Sequence, residues 1–305
     1  MNKATRQLQD GHKVLLDGGM GQELAARGLD TTDGLWSARA LLDQSEAVLA
    51  VHRDFINAGA DVITVNSYAA TRRRLDATDI EDGFVRCNQT AGKLARQAAE
   101  EVDRDVLVAG SLPPLHGSYR PDRVRPLDEI EPLYREQAAM LAEYADLLIC
   151  ETMSTAAEAL AAARGAASTG LPVWVSWTVA DNGSGLLRSG ETVQHAIDLL
   201  DGVDVEALLF NCSMPESIEA ALPELAEHAG RAFGAYANGF TAIQAGFDVA
   251  DGASVPDRRE ELTPARYAEQ AQRWLDAGAS IVGGCCEVGP AHIAEMHHKC
   301  RQSPG

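Results

Sequence analysis

Eight short apolar runs punctuate the chain, at 14–17, 62–65, 106–109, 147–150, 173–176, 207–210, 232–235 and 280–283. They lack the strict polar alternation of a half-exposed strand. Such runs suit strands covered on both faces. The stretches between them have helical character: 45–58, 84–102, 127–144, 155–167, 192–200, 215–228, 264–277 and 290–299. The segment 45–58 places Val48, Val51 and Phe55 at helical spacing, with Glu46 in its first turn and Gly59 just past its end. Pro215 and Pro264 stand where a first helical turn tolerates proline. Strand and helix alternate about eight times, over a length that suits a closed barrel better than an open doubly wound sheet. The expected fold is α/β, a (β/α)8 TIM barrel forming a single domain over 1–305.

Composition narrows the function. The 305 residues are 46% hydrophobic, enough for a large core, and carry a net charge of −19. So acidic a surface repels nucleic acid and anionic membrane, and neither is expected as a partner. No run of 18 apolar residues occurs, and residues 1–6 are polar with no apolar signal core, so a cytoplasmic protein is expected. Six cysteines are too few for a disulfide scaffold. In a reducing compartment, clustered thiols point to metal binding or catalysis.

In a barrel of this kind the C-terminal ends of the strands face one site. Position alone collects Asp17, the segment 66–68, Ser111, Glu151, Ser176, Trp177, Asn211, Cys212, Tyr236, Asn238, Cys285 and Cys286. Three of these are thiols. Three thiolates with a fourth position open describe a catalytic zinc site, and the open position invites an exogenous thiol. That thiol would bind as thiolate, a strong nucleophile at neutral pH. Two other readings of the cysteines stand beside this one: small buried hydrophobes, and a redox disulfide within the vicinal pair. Cys87, Cys150 and Cys300 read as packing residues or free thiols, with Cys150 pointing away from Glu151 by strand pleat.

Asp17 and Glu151 are either solvated loop acids or a site for a cationic group such as an amino-acid ammonium. Trp36, Tyr68, Trp177 and Tyr236 are either rim packing or an aromatic wall for a sulfonium or ammonium donor. His297 and His298 read as solvated and His292 as a helix-start or packing residue, while His116 in the third loop is placed to touch substrate. The run Gly18-Gly19-Met20-Gly21 lacks dinucleotide-fingerprint spacing, and no phosphate-loop lysine occurs. A Schiff-base aldolase would need a lysine at a strand end, and the eight ends hold none. Long stretches after strands, 111–125 and 238–263, are expected on the site's face.

The combination resembles the homocysteine S-methyltransferase family, the zinc-dependent barrel shared with betaine-homocysteine methyltransferase and the homocysteine domain of cobalamin-dependent methionine synthase. The matching stretches are Leu15-Leu16-Asp17-Gly18-Gly19-Met20-Gly21, Leu35-Trp36-Ser37-Ala38, His52-Arg53-Asp54-Phe55, and Gly59 through Tyr68. They continue with Ala109-Gly110-Ser111, Glu151-Thr152, Asn211-Cys212 and Gly283-Gly284-Cys285-Cys286, so the likeness covers about 14–293. The resemblance implies that Cys212, Cys285 and Cys286 hold Zn2+ and that homocysteine sulfur takes its open position. It implies that Asp17 and Glu151 bind the homocysteine amino group, that Gly18 and Gly19 let substrate approach the backbone, and that Asn211 supports the ligand loop. Trp36 and Tyr68 complete the expected substrate site.

Three stretches depart from the family pattern: Glu287-Val288-Gly289, Tyr236-Ala237-Asn238-Gly239-Phe240, and the run from Ser111 to Arg120. All face the donor side. No cobalamin or folate domain is expected, so the implied donor is a small diffusible onium compound. S-methylmethionine or S-adenosylmethionine comes first; betaine or dimethylsulfoniopropionate is the alternative, as is a non-catalytic zinc- or thiol-binding barrel. The implied product is methionine.

Overall fold

Each of the eight apolar runs forms a strand in the computed structural model, which describes Leu8 and residues 12–29, 35–244, 246–247 and 255–302. The strands are β1 (Val14–Leu15), β2 (Val62–Thr64), β3 (Leu107–Leu112), β4 (Leu147–Met153), β5 (Val173–Trp177), β6 (Ala207–Asn211), β7 (Ala232–Ala237) and β8 (Ile281–Gly284). They pair in parallel in the order β1-β8-β7-β6-β5-β4-β3-β2. A parallel bridge between Leu16 and Val62 joins β1 to β2 and closes the ring. The fold is a (β/α)8 barrel. Residues 1–6, residue 245, residues 248–254 and the Cys300 side chain, all part of the sequence reading, lie outside the described residues.

The apolar runs divide by pleat. Val14, Leu16, Val62, Leu107, Ala109, Leu147, Ile149, Trp174, Leu209 and Ile281 form one buried cluster inside the ring. Their neighbours Leu15, Ile63, Val108, Leu148, Val175, Leu208 and Val282 belong to the larger core shared with the helices. Successive side chains of a strand point to opposite faces, and here both faces are dry. Cys150 falls on the outer face, away from Glu151.

Three strands run two or more residues past their apolar stretch. β3 continues to Leu112, β4 to Met153 and β7 to Ala237. The inward positions turn polar at the top of the barrel, two residues beyond the apolar ones: Ala109 gives way to Ser111, Ile149 to Glu151, Trp174 to Ser176 and Leu209 to Asn211. A strand read by apolarity therefore ends too early where it enters the site. Pleat also decides between packing and an aromatic wall for Trp177, in favour of packing. Ser176 points in, so Trp177 points out; it pairs in register with Met153 and is fully buried in the outer core.

The eight expected helices all form, with their ends drawn in at several places: Gly83–Glu100, Leu127–Leu141 and Val193–Asp198 are examples. Three short helices, Met20–Ala26, Ser37–Asp43 and Arg72–Leu75, and a 3-10 turn at Pro121–Arg123 were not expected. Helices this short are marginal alone and depend on tertiary packing, here of Leu24, Ala38, Leu41 and Leu75. No helix among the described residues is long and apolar enough to cross a membrane.

Candidate functional site

The three thiols meet at the mouth of the barrel. Asn211 points inward, so an unbroken pleat would turn Cys212 outward. Instead Cys212 adopts φ 50°, a left-handed backbone that L-residues rarely hold, and its N–H donates to the Tyr236 carbonyl at 3.2 Å. The strand ends there, and the sulfur swings over the mouth. Cys285 and Cys286 follow β8, tied by Cys285 N–H to the Ala237 carbonyl (2.9 Å) and by Gly239 N–H to the Cys286 carbonyl (2.8 Å). Cys212 Sγ lies 2.8 Å from Cys285 Sγ and 4.0 Å from Cys286 Sγ. All three sulfurs fall within 4.8 Å of one another, a group able to hold a metal ion.

The donor set fits zinc with three protein ligands: thiolate–zinc bonds of about 2.3 Å place tetrahedral sulfurs about 3.8 Å apart. Hydrogen bonds from Cys285 and Cys286 hold Cys212 well below the ordinary thiol range, and the same contacts push its two partners up.

Gly18 and Gly19 serve this turn. A Cβ on Gly18 would stand 1.9 Å from the Val288 carbonyl oxygen, and one on Gly19 would stand 2.7 Å from that of Cys285. The loop after β1 therefore packs backbone-to-backbone on the cysteine turn, and only glycine fits.

Two carboxylates stand beside the sulfurs. Asp17 accepts the Thr64 N–H at 2.7 Å and the Thr64 hydroxyl at 2.9 Å. Burial pushes it up to about 7, opposed by the Thr64 bonds and assisted by the charge of Glu151. Glu151 accepts the Ser111 hydroxyl and, at 3.4 Å, the Tyr236 hydroxyl. Burial raises it too to about 7, with Ser111 pulling down and Cys212 pushing up. Among the described residues neither carboxylate has an ion-pair partner. A site with two buried acids and no cation is short of positive charge, and an ammonium group would correct that.

Asn211 is fully buried. Its Oδ1 accepts from Thr152 N–H and Ser176 hydroxyl, both at 2.8 Å, and its Nδ2 donates to Thr152 Oγ1 at 2.8 Å. It ties β4, β5 and β6 together beneath Cys212. Trp36 and Tyr68 meet edge to face with centroids 6.1 Å apart, and the Tyr68 hydroxyl lies 2.7 Å from Ser118 Oγ. His116 has Arg73, Arg125 and Glu129 as its charged neighbours, not the thiols or Glu151. His292 braces the turn after Cys286, accepting Gly289 N–H at 3.2 Å with its other nitrogen 3.2 Å from the Leu262 carbonyl.

Sequence reasoning missed Thr64, Tyr119 and Arg188. The Tyr119 hydroxyl lies 2.9 Å from Cys212 Sγ, and its ring meets Phe247 and the Arg188 guanidinium. Thr64 was detectable as the inward position two residues after Val62. Tyr119 lies in a loop singled out for its length and its departure from the family pattern, with no role given to the tyrosine itself.

Known proteins resemble this chain over nearly its whole length. Residues 14–300 match the family described as homocysteine S-methyltransferase. A homocysteine S-methyltransferase of Escherichia coli K12 is 33% identical, the alignment covering 97% of this chain and 98% of that protein. A selenocysteine Se-methyltransferase of Brassica oleracea var. italica is 26% identical over 95% of this chain and 90% of its own. The crystal structure of the homocysteine methyltransferase MmuM from Escherichia coli in its metallated form superposes with a TM-score of 0.81 at 31% identity, covering 97% of this chain and 99% of that one.

Proposed function

This chain belongs to the homocysteine S-methyltransferase family and is an enzyme of that class, and we propose that it moves a methyl group from a diffusible sulfonium or quaternary ammonium donor to homocysteine, giving methionine, with zinc on Cys212, Cys285 and Cys286. One observation carries the reading: three sulfurs within 4.8 Å of one another beside two buried carboxylates that have no cation of their own. A ligand bearing both a thiol and an ammonium answers both halves of that site. Zinc, when bound, supplies a Lewis acid that holds an incoming thiol as its thiolate near neutral pH.

The chain's own residues do the rest. Asp17 and Glu151 take the ammonium and are drawn into their ionised forms by it. Thr64 and Ser111 fix the two carboxylates by hydrogen bonds on strands, so the amino acid is oriented before the donor arrives. Trp36 and Tyr68 supply aromatic surface of the kind that accepts an onium methyl group. In the transfer, a sulfur lone pair forms the new S–CH3 bond while the donor's C–S or C–N bond breaks and its pair leaves with the neutral donor product. No general base is required at that step.

S-methylmethionine or S-adenosylmethionine is the proposed donor, with betaine and dimethylsulfoniopropionate as the other arms of the test. Metal analysis coupled to a donor screen decides it: stoichiometric zinc and methionine from homocysteine with at least one sulfonium donor are expected. Zinc without turnover from any donor identifies a non-catalytic binding barrel. Turnover in protein freed of metal removes the mechanism.

A further inference from the structure

A metal held by three cysteines poses a selectivity problem that the fold must answer. Every thiolate on such a centre is a nucleophile, and a methyl donor that reaches the substrate's sulfur is close to the ligand sulfurs too. Attack by a ligand would turn a cysteine into a thioether and cost the site its metal. A hydrogen bond to a thiolate engages a lone pair and lowers its nucleophilicity. Among the described residues one hydroxyl reaches a sulfur of the cluster, that of Tyr119, 2.9 Å from Cys212 Sγ.

Tyr119 is held there with some force. It sits in the loop after β3 at φ 62°, a conformation that is a marked outlier for an aromatic residue. Such a backbone persists only when its surroundings over-determine it. Ser118 is tied to the Tyr68 hydroxyl at 2.7 Å. The far face of the Tyr119 ring meets the Arg188 guanidinium, 5.1 Å from the ring centroid. Arg188 is itself buried and fixed, bonded to Thr178 Oγ1, to the Ile243 carbonyl at 3.2 Å and to Asp181 at 3.1 Å. Asp181 accepts the N–H groups of Met214 (2.8 Å) and Ile243 (3.0 Å), and Met214 lies two residues beyond Cys212. A chain of contacts thus runs from Asp181 through Arg188 and the Tyr119 ring to the cysteine sulfur.

We propose that Tyr119 is a positioning residue that caps Cys212: its hydroxyl donates to Sγ, so that the methyl group goes to the substrate's sulfur, and Arg188 keeps the ring in place. The inference rests on the zinc reading above, because only a deprotonated cysteine needs the cap.

The test uses zinc-loaded protein without homocysteine, treated with methyl iodide and mapped by peptide mass spectrometry. In the unwanted reaction a cysteine lone pair forms S–CH3 as iodide leaves with the bonding pair. Tyr119→Phe keeps the ring and removes the hydroxyl. Methylation of Cys212 is expected to rise about tenfold, the effect of removing one hydrogen bond to a charged group. In cobalt-substituted protein the thiolate-to-metal charge-transfer band is expected to move to lower energy, which a merely structural role would not produce. Arg188→Met, which keeps the hydroxyl, is expected to give a smaller rise. Equal Cys212 methylation and an unmoved band in Tyr119→Phe, with zinc bound in both proteins, overturn the cap and leave the zinc reading intact. Absence of zinc from the wild-type protein overturns both. Should Tyr119→Phe lose its metal, Arg188→Met decides: a raised Cys212 rate supports the cap, and a wild-type rate refutes it.

Discussion

The carboxylate half of the site and the aromatic half facing it are built by different means. Glu151, Ser111 and Asn211 stand on strands, at inward positions that continue the apolar layers below them, and Asp17 stands two residues past the end of β1 and is pinned to β2 by Thr64. Tyr119, Arg188, Ile243 and Phe247 stand on loops and are held by one another: an arginine against a ring, a buried ion pair, two backbone groups on one aspartate. The first half inherits its precision from the barrel. The second requires its own local network, and one of the three stretches where this chain departs from its family's pattern, Ser111 to Arg120, supplies its Tyr119. A barrel can keep one substrate and change another by altering only the loop-built half.

The largest effect should come from the sulfurs that both halves share. Cys285→Ala removes one of three ligands, and loss of both zinc and activity is expected, the latter by at least about 10³-fold, because metal catalysis of this type supplies several kcal/mol. Circular dichroism should show an intact fold. Activity that survives without metal would break the premise of the comparison. Next comes the strand-built half. Glu151→Gln should lower kcat/KM for homocysteine by about 10²-fold, in line with the 2–5 kcal/mol lost when one member of a buried charge pair is removed. Zinc content and KM for the donor should stay near wild type. A change confined to the donor's KM would mean that Glu151 belongs to the other half.

The loop-built half should show a smaller and opposite split. Asp181→Asn removes the charge that pairs with Arg188 and leaves one acceptor oxygen where two hold Arg188 and the N–H groups of Met214 and Ile243. Breaking a buried ion pair is destabilising by about 3–5 kcal/mol, so a lower melting temperature is expected. In the folded fraction, KM for the donor should rise by up to about tenfold, as for an interaction at the edge of a site, while KM for homocysteine stays near wild type. Equal changes in both would show that the two halves are one mechanical unit.

This division matches what was legible in the sequence. The barrel could be read because a both-faces-covered strand is a continuous apolar run, and Asp17, Glu151 and the cysteines because each follows such a run. Legibility failed where two signals compete. Trp177 ends an apolar run just as Cys212 does, but the pleat sends Trp177 outward, while a left-handed backbone at Cys212 redirects its sulfur to the mouth. Nothing local to Asn211-Cys212-Ser213 marks that φ. Tyr119 was hidden for a different reason: its place depends on Arg188, 69 positions later in the chain, and on a contact that no periodicity records. The strand-built half is encoded locally and the loop-built half is not.

The smallest effect tests the charge deficit directly. Asp17 is raised from 3.8 to about 7, and Glu151 and Glu158 from 4.5 to about 7, in each case chiefly by burial. All three bind a proton more tightly folded than unfolded. Their contribution to stability is therefore fullest below about pH 4 and is lost as pH rises toward 7, at about 1.4 kcal/mol per pKa unit. Ligand-free protein should melt lower at pH 8 than at pH 5 through these groups. Glu158 differs from the other two, since it accepts the Ser154 N–H at 3.0 Å at the start of helix Ala156–Ala167 and meets no substrate. Methionine is the suitable ligand, because it carries the ammonium group and has no thiol proton to lose. With zinc saturating and methionine bound, the ammonium favours ionised Asp17 and Glu151, so the fall in melting temperature from pH 5 to pH 8 should shrink. In Glu158→Gln the fall should be shallower with and without methionine, but the difference made by methionine should persist. In the Asp17→Asn, Glu151→Gln double variant that difference should vanish. A methionine-dependent slope that survives in the double variant would place the ammonium elsewhere, and the strand-built half would lose its assigned ligand.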